Sequence, residues 1–464
     1  MHLDPLVLSR LQWAWVIGWH ILLPAFTVGC ASYIAVLEGL SYWRAETIWA
    51  RIAQFWTRIF AVAFGMGVVT GIVMPFQFGT NWSRFSDATS NVISPLLAYE
   101  DLMAFFLEAT FLGVLLFGRK LVPRGAHLFS ACMVAVGTLM SSFWILAANS
   151  WMQTPTGSVL RDGRFYPVDW FAIVFNPSFP YRFAHNVAAF YVTTGFVVLG
   201  VGAFLAKRGD SRTEGRVMLK MALGFLAIFV PLQIFLGDLQ GLNTRHYQPA
   251  KLAAIEGRWQ TAAPAPLTLF AIPEQGEARN AMEIEVPYLG SLILTHSLDG
   301  AVQGLNDFPA DQRPPVWPVF FAFRLMVGIG FSMLGIVIVG LWLLWRGRLI
   351  ATTWFLRICQ CAAPLGFLAV LAGWTVTEVG RQPWTVFGLL RTAQSVTPSL
   401  TGPDVMESLL VYMALYLTMY PAGFVVLVRL IRQGCATADA PEASVAALQP
   451  RAPYSATTTV RPAE

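Results

Sequence analysis

Residues 317–344 read WPVFFAFRLMVGIGFSMLGIVIVGLWLL, with one charged side chain, Arg324. About 20 apolar residues in a helix cross the ~30 Å hydrocarbon core of a bilayer. In lipid the backbone polar groups must be satisfied within the segment itself, which a helix achieves. The stretch therefore predicts a transmembrane helix. Working outward, the same pattern recurs at about 12–37, 52–75, 94–117, 126–150, 181–206, 217–237, 353–377 and 404–430. The fold class that follows is an all-α integral membrane protein with nine transmembrane helices. Helices 1–6 occupy 1–237 and helices 7–9 occupy 317–432. Between them, 238–316 is a long polar loop rich in proline and charge. The Ala-, Pro-, Ser- and Thr-rich tail, 433–464, is expected to be disordered.

Composition agrees. Of 464 residues, 56% are hydrophobic and 12% charged, against roughly 25% charged in a soluble domain. This excludes a cytosolic enzyme, a nucleic-acid-binding protein, a disordered chain and a disulfide-stapled secreted domain. The five cysteines form no CxxC pair and read as packing residues. The first apolar run is too long for a signal-peptide core and is expected to be retained. Lysines and arginines concentrate in connections 1–2, 3–4, 5–6 and 7–8. By the positive-inside rule these are cytoplasmic. The N-terminus and the long loop are then outside and the C-terminus is inside.

Ionisable side chains within spans are costly and mark function. The set is His20 in helix 1, Glu100 and Glu108 in helix 3, His185 in helix 5, Arg324 in helix 7 and Glu378 at the end of helix 8. Arg58 is close enough to the cytoplasmic end to snorkel. Two intramembrane histidines are too few for a copper-containing oxidase. They suffice for heme if Met or a carboxylate helps. At 1.5 Å per residue, His20 and Met326 share a depth of about 12 Å, with His185 and Glu378 nearer the outer surface. Arg324, beside Met326, suits a heme propionate. Glu100 lies about 10 Å in and Glu108 about 12 Å deeper. Both can border one cavity with Ser141, Ser142 and Asn149, and carboxylates in series suggest a proton path. The plainer alternative for each is an interhelical hydrogen-bonding group. Gly67 and Gly71 form a GxxxG that reads as helix packing. His127 falls near a loop.

The segment 373–384, GWTVTEVGRQPW, resembles the GWxxxExGRQPW signature of the large subunit of cytochrome bd-type quinol oxidases. FRLMVG at 323–328 and KLAAIE at 251–256 resemble two further segments of that family. Leu11-Gln12-Trp13 with His20, and Glu100 with Glu108, also fit. The resemblance covers about residues 1–430.

It implies a terminal respiratory oxidase of the bacterial inner membrane. Such an enzyme oxidises quinol, here ubiquinol, at the outer face and reduces dioxygen to water. It generates membrane potential without pumping, by drawing protons from the cytoplasm. By the resemblance, His185 and Met326 ligate a low-spin heme b. His20 and Glu378 each serve one of two further hemes, a high-spin heme b and a heme d. Glu100 lies at that pair, Glu108 below it on the proton path. Lys251 and Glu256 handle quinol, and Trp374 and Arg381 flank the high-spin hemes. The short loop resembles a class that includes cyanide-insensitive oxidases, some of which carry a heme b in place of heme d. The implied partners are a second large membrane subunit, a small single-helix subunit, quinol, dioxygen and lipid, with no nucleic acid. Two other classes compete. A b-heme electron-transfer subunit requires bis-His sites. A secondary transporter using Glu100, Glu108 and Arg58 requires inverted repeats.

Overall fold

The computed structural model describes residues 4–44 and 46–435. Among them, nine helices are long and apolar enough to cross a membrane. In order they are Pro5–Arg44, Thr47–Thr80, Ser83–Lys120, Arg124–Gln153, Phe179–Leu205, Gly209–Tyr247, Val316–Trp345, Thr353–Val379 and Gly402–Gln433. Each matches one apolar run, usually extended by polar turns. A 40-residue helix such as Pro5–Arg44 is about 60 Å long, so its ends reach beyond the hydrocarbon core. The expected tail begins within the ninth helix, which runs to Gln433; residues 436–464 lie outside the described residues.

The boundary of the polar loop shifts. The sixth span continues to Tyr247, past the expected end at 237. Its last turns are polar, and Asn243 donates to Ser178 Oγ at 3.0 Å. The remaining segment, 248–315, is ordered into a short helix, Pro249–Glu256, and an antiparallel hairpin, Leu267–Glu274 with Arg279–Val286, followed by the helix Leu289–Thr295. Two smaller hairpins join spans 4–5 and 8–9. The first turns through Asp162-Gly163, both at positive φ, the Asp-Gly combination that matches the twist of a two-residue hairpin. In the second, Phe387 N–H donates to Met152 O at 2.9 Å, which fastens it to the end of span 4. These connections gather at one end of the bundle, called here the loop end.

Burying apolar side chains drives insertion, but in lipid it does little to join helices; close packing and hydrogen bonds do that. Spans 5 and 6 show the requirement. A Cβ on Gly215 would lie 2.3 Å from Ala206 N, and one on Gly202 would lie 2.8 Å from Leu219 N. Only glycine permits this approach. Phe26, Trp56, Phe196 and Leu223 fill the core between spans 1, 2, 5 and 6. Span 9 exposes Leu410, Val411, Phe424 and Val425 and forms an edge.

Two irregularities fall at expected site residues. The first span is interrupted at Ile21, directly after His20. Pro24 has no N–H to give the His20 carbonyl, four residues back. The third span contains a π-helical segment, Ala104–Ala109, which includes Glu108. Such segments are concentrated at functional sites.

Three of the five cysteines are buried, as packing residues should be, whereas Cys361 is exposed.

Candidate functional site

One ridge of span 4 organises the polar residues. Positions four apart on a helix form a row along its surface, and Gly137, Ser141, Asn149 and Gln153 lie on such a row. A Cβ on Gly137 would sit 2.7 Å from Glu108 Cγ, so this glycine makes room for the carboxylate side chain. Ser141 Oγ donates to Glu100 Oε1 at 3.4 Å. Asn149 Nδ2 donates to Glu378 Oε1 at 2.9 Å and Gln153 Nε2 to the same oxygen at 3.3 Å. Lys251 Nζ donates to Gln153 Oε1 at 2.6 Å. The row thus runs about 24 Å from Glu108 to the loop-end helix that carries Lys251. Of the three span-4 residues expected beside the carboxylates, Ser141 meets Glu100, Asn149 meets Glu378, and the Ser142 hydroxyl turns back to Thr138 O.

Positive charge collects around Glu378. Arg381 pairs with its other oxygen, and Lys251 and Arg182 lie within electrostatic reach. Burial, reinforced by Arg182 and Arg381, holds the Lys251 ammonium well below the ordinary lysine range. Arg182 and Arg381 against the one carboxylate leave positive charge uncompensated. Arg381 Nε and Nη1 and Arg182 Nε are also buried without a hydrogen-bond partner. Such groups call for an anion that accepts hydrogen bonds.

His20 packs against span 2. Its Nδ1 lies 2.9 Å from Thr70 Oγ1. The same hydroxyl reaches the carbonyls of Met66 and Gly67, each at 3.1 Å. With the Thr70 proton on one of these carbonyls, His20 Nδ1–H donates to Oγ1. The Nε2 lone pair is then available to a metal, a common second-shell arrangement. A Cβ on Gly71 would come within 3.3 Å of His20 Cε1. The GxxxG expected to be ordinary packing therefore also cradles this ring. His185 lies against span 6, with Gln233 Nε2 at 3.3 and 3.4 Å from its two ring nitrogens and Gly237 beside Cε1. A Cβ on Gly373 would approach Met326 Sδ to 3.0 Å. Trp374 packs on the cluster of Ile21, Ala25 and Phe190, next to the His20 turn.

Arg324, expected to meet a heme propionate, directs its guanidinium at the loop. Nε and Nη2 donate to Thr268 O at 3.0 and 2.5 Å, Nη1 to Ile255 O at 3.2 Å and Nη2 to Glu256 Oε2 at 3.2 Å. Phe320 lies under it, 4.5 Å from ring centre to guanidinium carbon. Lys251 and Glu256 share one buried helix but face different partners, Gln153 and Arg324.

Thr70, Gly137, Gln153, Arg182 and Gln233 were not singled out from the sequence. The row of small and polar residues on span 4, broken only by Ile145, is the signal that points to Gly137 and Gln153. Thr70 and Gln233 carry no local signal, because their importance depends on which helix they meet.

Residues 8–435 match the family described as cytochrome bd terminal oxidase subunit I. The chain belongs to this family. The cytochrome bd ubiquinol oxidase subunit 1 of Bacillus subtilis is 36% identical over 93% of the chain and 94% of its own length. The cytochrome bd-II ubiquinol oxidase subunit 1 of Escherichia coli is 34% identical over 89% and 93%. The structure of bd oxidase from Geobacillus thermodenitrificans superposes with a TM-score of 0.87 at 32% identity, covering 93% of this chain and 99% of that one. As a bd-type subunit I, the protein is a multi-pass membrane oxidoreductase of respiratory electron transport. It uses heme and works with a subunit II.

The bd-type site fits heme on its own chemistry. It offers an imidazole with an oriented lone pair, a thioether, a second imidazole and a carboxylate. Glycines face three of these donors, and the buried, unpartnered nitrogens of Arg182 and Arg381 can donate to a carboxylate such as a propionate.

Proposed function

We propose that this chain is the heme-bearing subunit of a quinol:dioxygen oxidase that oxidises quinol at the loop end and takes protons from the opposite, cytoplasmic end. His185 and Met326 would hold a low-spin heme b. His20 and Glu378 each serve one of two further hemes, a high-spin heme b and a heme d or a heme b in its place. Bound there, the hemes would supply the redox chemistry, taking electrons from quinol and reducing dioxygen to water. Ubiquinol is the proposed donor, after the names of the B. subtilis and E. coli relatives. A second B. subtilis relative is named a putative menaquinol oxidase.

The protein's own part is binding, orientation and proton handling. Thr70 fixes the His20 tautomer. Arg182 and Arg381 would hold propionates, and Trp374 walls the pocket. Glu256 accepts a proton from the quinol hydroxyl, and Lys251 orients the ring oxygen from the same helix. General acid–base help of this kind is worth roughly 10²–10⁴ in rate. Glu108 and then Glu100 pass protons up the span-4 ridge. Releasing quinol protons outside and consuming protons from inside separates charge without a pump. The N-terminus lies outside, the C-terminus inside, and a small single-helix subunit joins the two large ones.

The observation that carries this reading is the polar ridge of span 4, which links both acidic residues to Glu378 and Lys251. The test is Met326→Leu, which keeps volume but removes the sulfur. The purified complex should lose or shift its low-spin b band in a reduced-minus-oxidised spectrum while high-spin bands persist. An unchanged low-spin band and potential would overturn the ligand assignment.

A further inference from the structure

A second buried polar cluster lies at the other end of the bundle, where spans 1, 3 and 4 meet. His127, expected near a loop, is only 4% exposed, and Glu38 on span 1 is 5% exposed. His127 Nδ1 lies 3.3 Å from Glu38 Oε2. His127 Nε2 lies 3.2 Å from Leu115 O on span 3. Arg119, at the end of span 3 and partly exposed, pairs with the other Glu38 oxygen. Arg124 donates to Ser41 O at 2.6 Å and lies over Tyr42, while Arg44 and Lys120 at the same end are exposed.

These contacts constrain the protons. A carbonyl only accepts, so Nε2 carries a hydrogen toward Leu115. Nδ1 then faces a carboxylate oxygen. Two lone pairs at that distance repel, so a proton must lie between them. It sits either on Nδ1, giving imidazolium with carboxylate, or on Oε2, giving neutral imidazole with carboxylic acid. The site therefore always holds one labile proton and can take a second as imidazolium with carboxylic acid. Arg119 connects it to the surface. Seven residues, about 10 Å along span 3, separate Leu115 from Glu108. That interval is lined by Leu115, Ala131 and Val134, with the buried hydroxyls of Ser130 and Thr138 toward its two ends.

We propose that the Glu38–His127 pair is a proton-loading site, filled from the cytoplasmic surface beside Arg119 and discharged toward Glu108. Each cycle adds one proton from water to the pair and passes one on. Only N–H and O–H bonds change, and no electron moves. The apolar interval makes the transfer depend on a transient file of water, which favours delivery in steps over free leakage. The proposal rests on reading Glu108 as a proton carrier and on the orientation given above.

The test uses the intact oxidase complex reconstituted in liposomes, with His127→Gln and Glu108→Gln side by side. Glutamine still donates to the Leu115 carbonyl but cannot take up the second proton. In His127→Gln, heme content and heme reduction by quinol should match wild type. The proton-coupled oxygen step should slow at least about tenfold and lose its dependence on internal pH. If Glu108→Gln slows that step while His127→Gln keeps wild-type rate and pH profile, the loading site is refuted and the Glu108 reading stands. If only His127→Gln slows it, discharge toward Glu108 is refuted and the proposal falls as stated. If neither does, both fall. Should His127→Gln fail to assemble, infrared difference spectra of wild-type complex with ring-labelled histidine decide the matter. An imidazolium or carboxylic-acid band that rises and decays with turnover and vanishes in Glu38→Gln supports the proposal; the absence of both in wild type overturns it.

Discussion

Replacing Arg324 by Gln should release the Pro249–Glu256 helix from the seventh span. Arg324 makes four hydrogen bonds, to Thr268 O twice, to Ile255 O and to Glu256 Oε2. The side chains of Arg324 and Glu256 are 18% and 6% exposed, so solvent screens the pair little. Removing one partner of a buried pair costs about 3–5 kcal/mol, because the other charge is left unmatched. Losing the Phe320 contact adds about 0.5–1 kcal/mol. The cheapest relief is local opening that lets water reach Glu256. At 1.4 kcal/mol per tenfold, opening of residues 249–274 should become at least about 100-fold more frequent. Hydrogen–deuterium exchange on the purified complex measures this directly. Peptides from 249–274 should exchange faster, while those from the fifth span should not change, and the KM for quinol should rise. Arg324→Lys should fall in between, since an ammonium cannot reproduce the planar fork. Unchanged exchange across 249–274 in Arg324→Gln would refute the clamp.

Other outcomes follow from single contacts. Thr70→Val removes the acceptor that fixes the His20 tautomer. It should lower occupancy of the His20 heme by 10-fold or more, of the order seen for second-shell changes, as measured by the pyridine hemochrome content of the purified complex. Gly137→Ala puts a Cβ 2.7 Å from Glu108 Cγ and should cost about 1–3 kcal/mol by overpacking. It should slow the proton-coupled oxygen step with Glu108 chemically intact, which single-turnover oxygen kinetics would show. Glu256→Gln should impair turnover with quinol about 10²-fold or more and spare turnover with an artificial donor that bypasses the quinol site. Equal loss with both donors would argue against a quinol-specific role.

The membrane class and the nine spans were legible in the sequence, because a bilayer demands some 20 apolar residues wherever the chain crosses it. The motif around Glu378 likewise pointed to the family before any coordinates. Helix ends were less legible. Polar turns such as 238–247 carry no hydropathy signal, yet they stay helical because water can solvate that face. What only the tertiary structure decided is which helix each polar group meets. Arg324 lies two residues from Met326 and looked like a propionate partner, but the loop carbonyls at Ile255 and Thr268 lie within its reach. His127 looked like a loop residue until span 1 brought Glu38 against it. The π-helical segment shifts the facing of Glu108 relative to Glu100, which an ideal 100° per residue cannot supply. Thr70 and Gln153 are ordinary polar residues in the chain, and become a tautomer lock and a bridge only through contacts with other helices. Periodicity reports what each helix shows to lipid, whereas a site built between helices depends on their relative rotation and depth. Small residues such as Gly71, Gly137 and Gly373 permit that arrangement without announcing it.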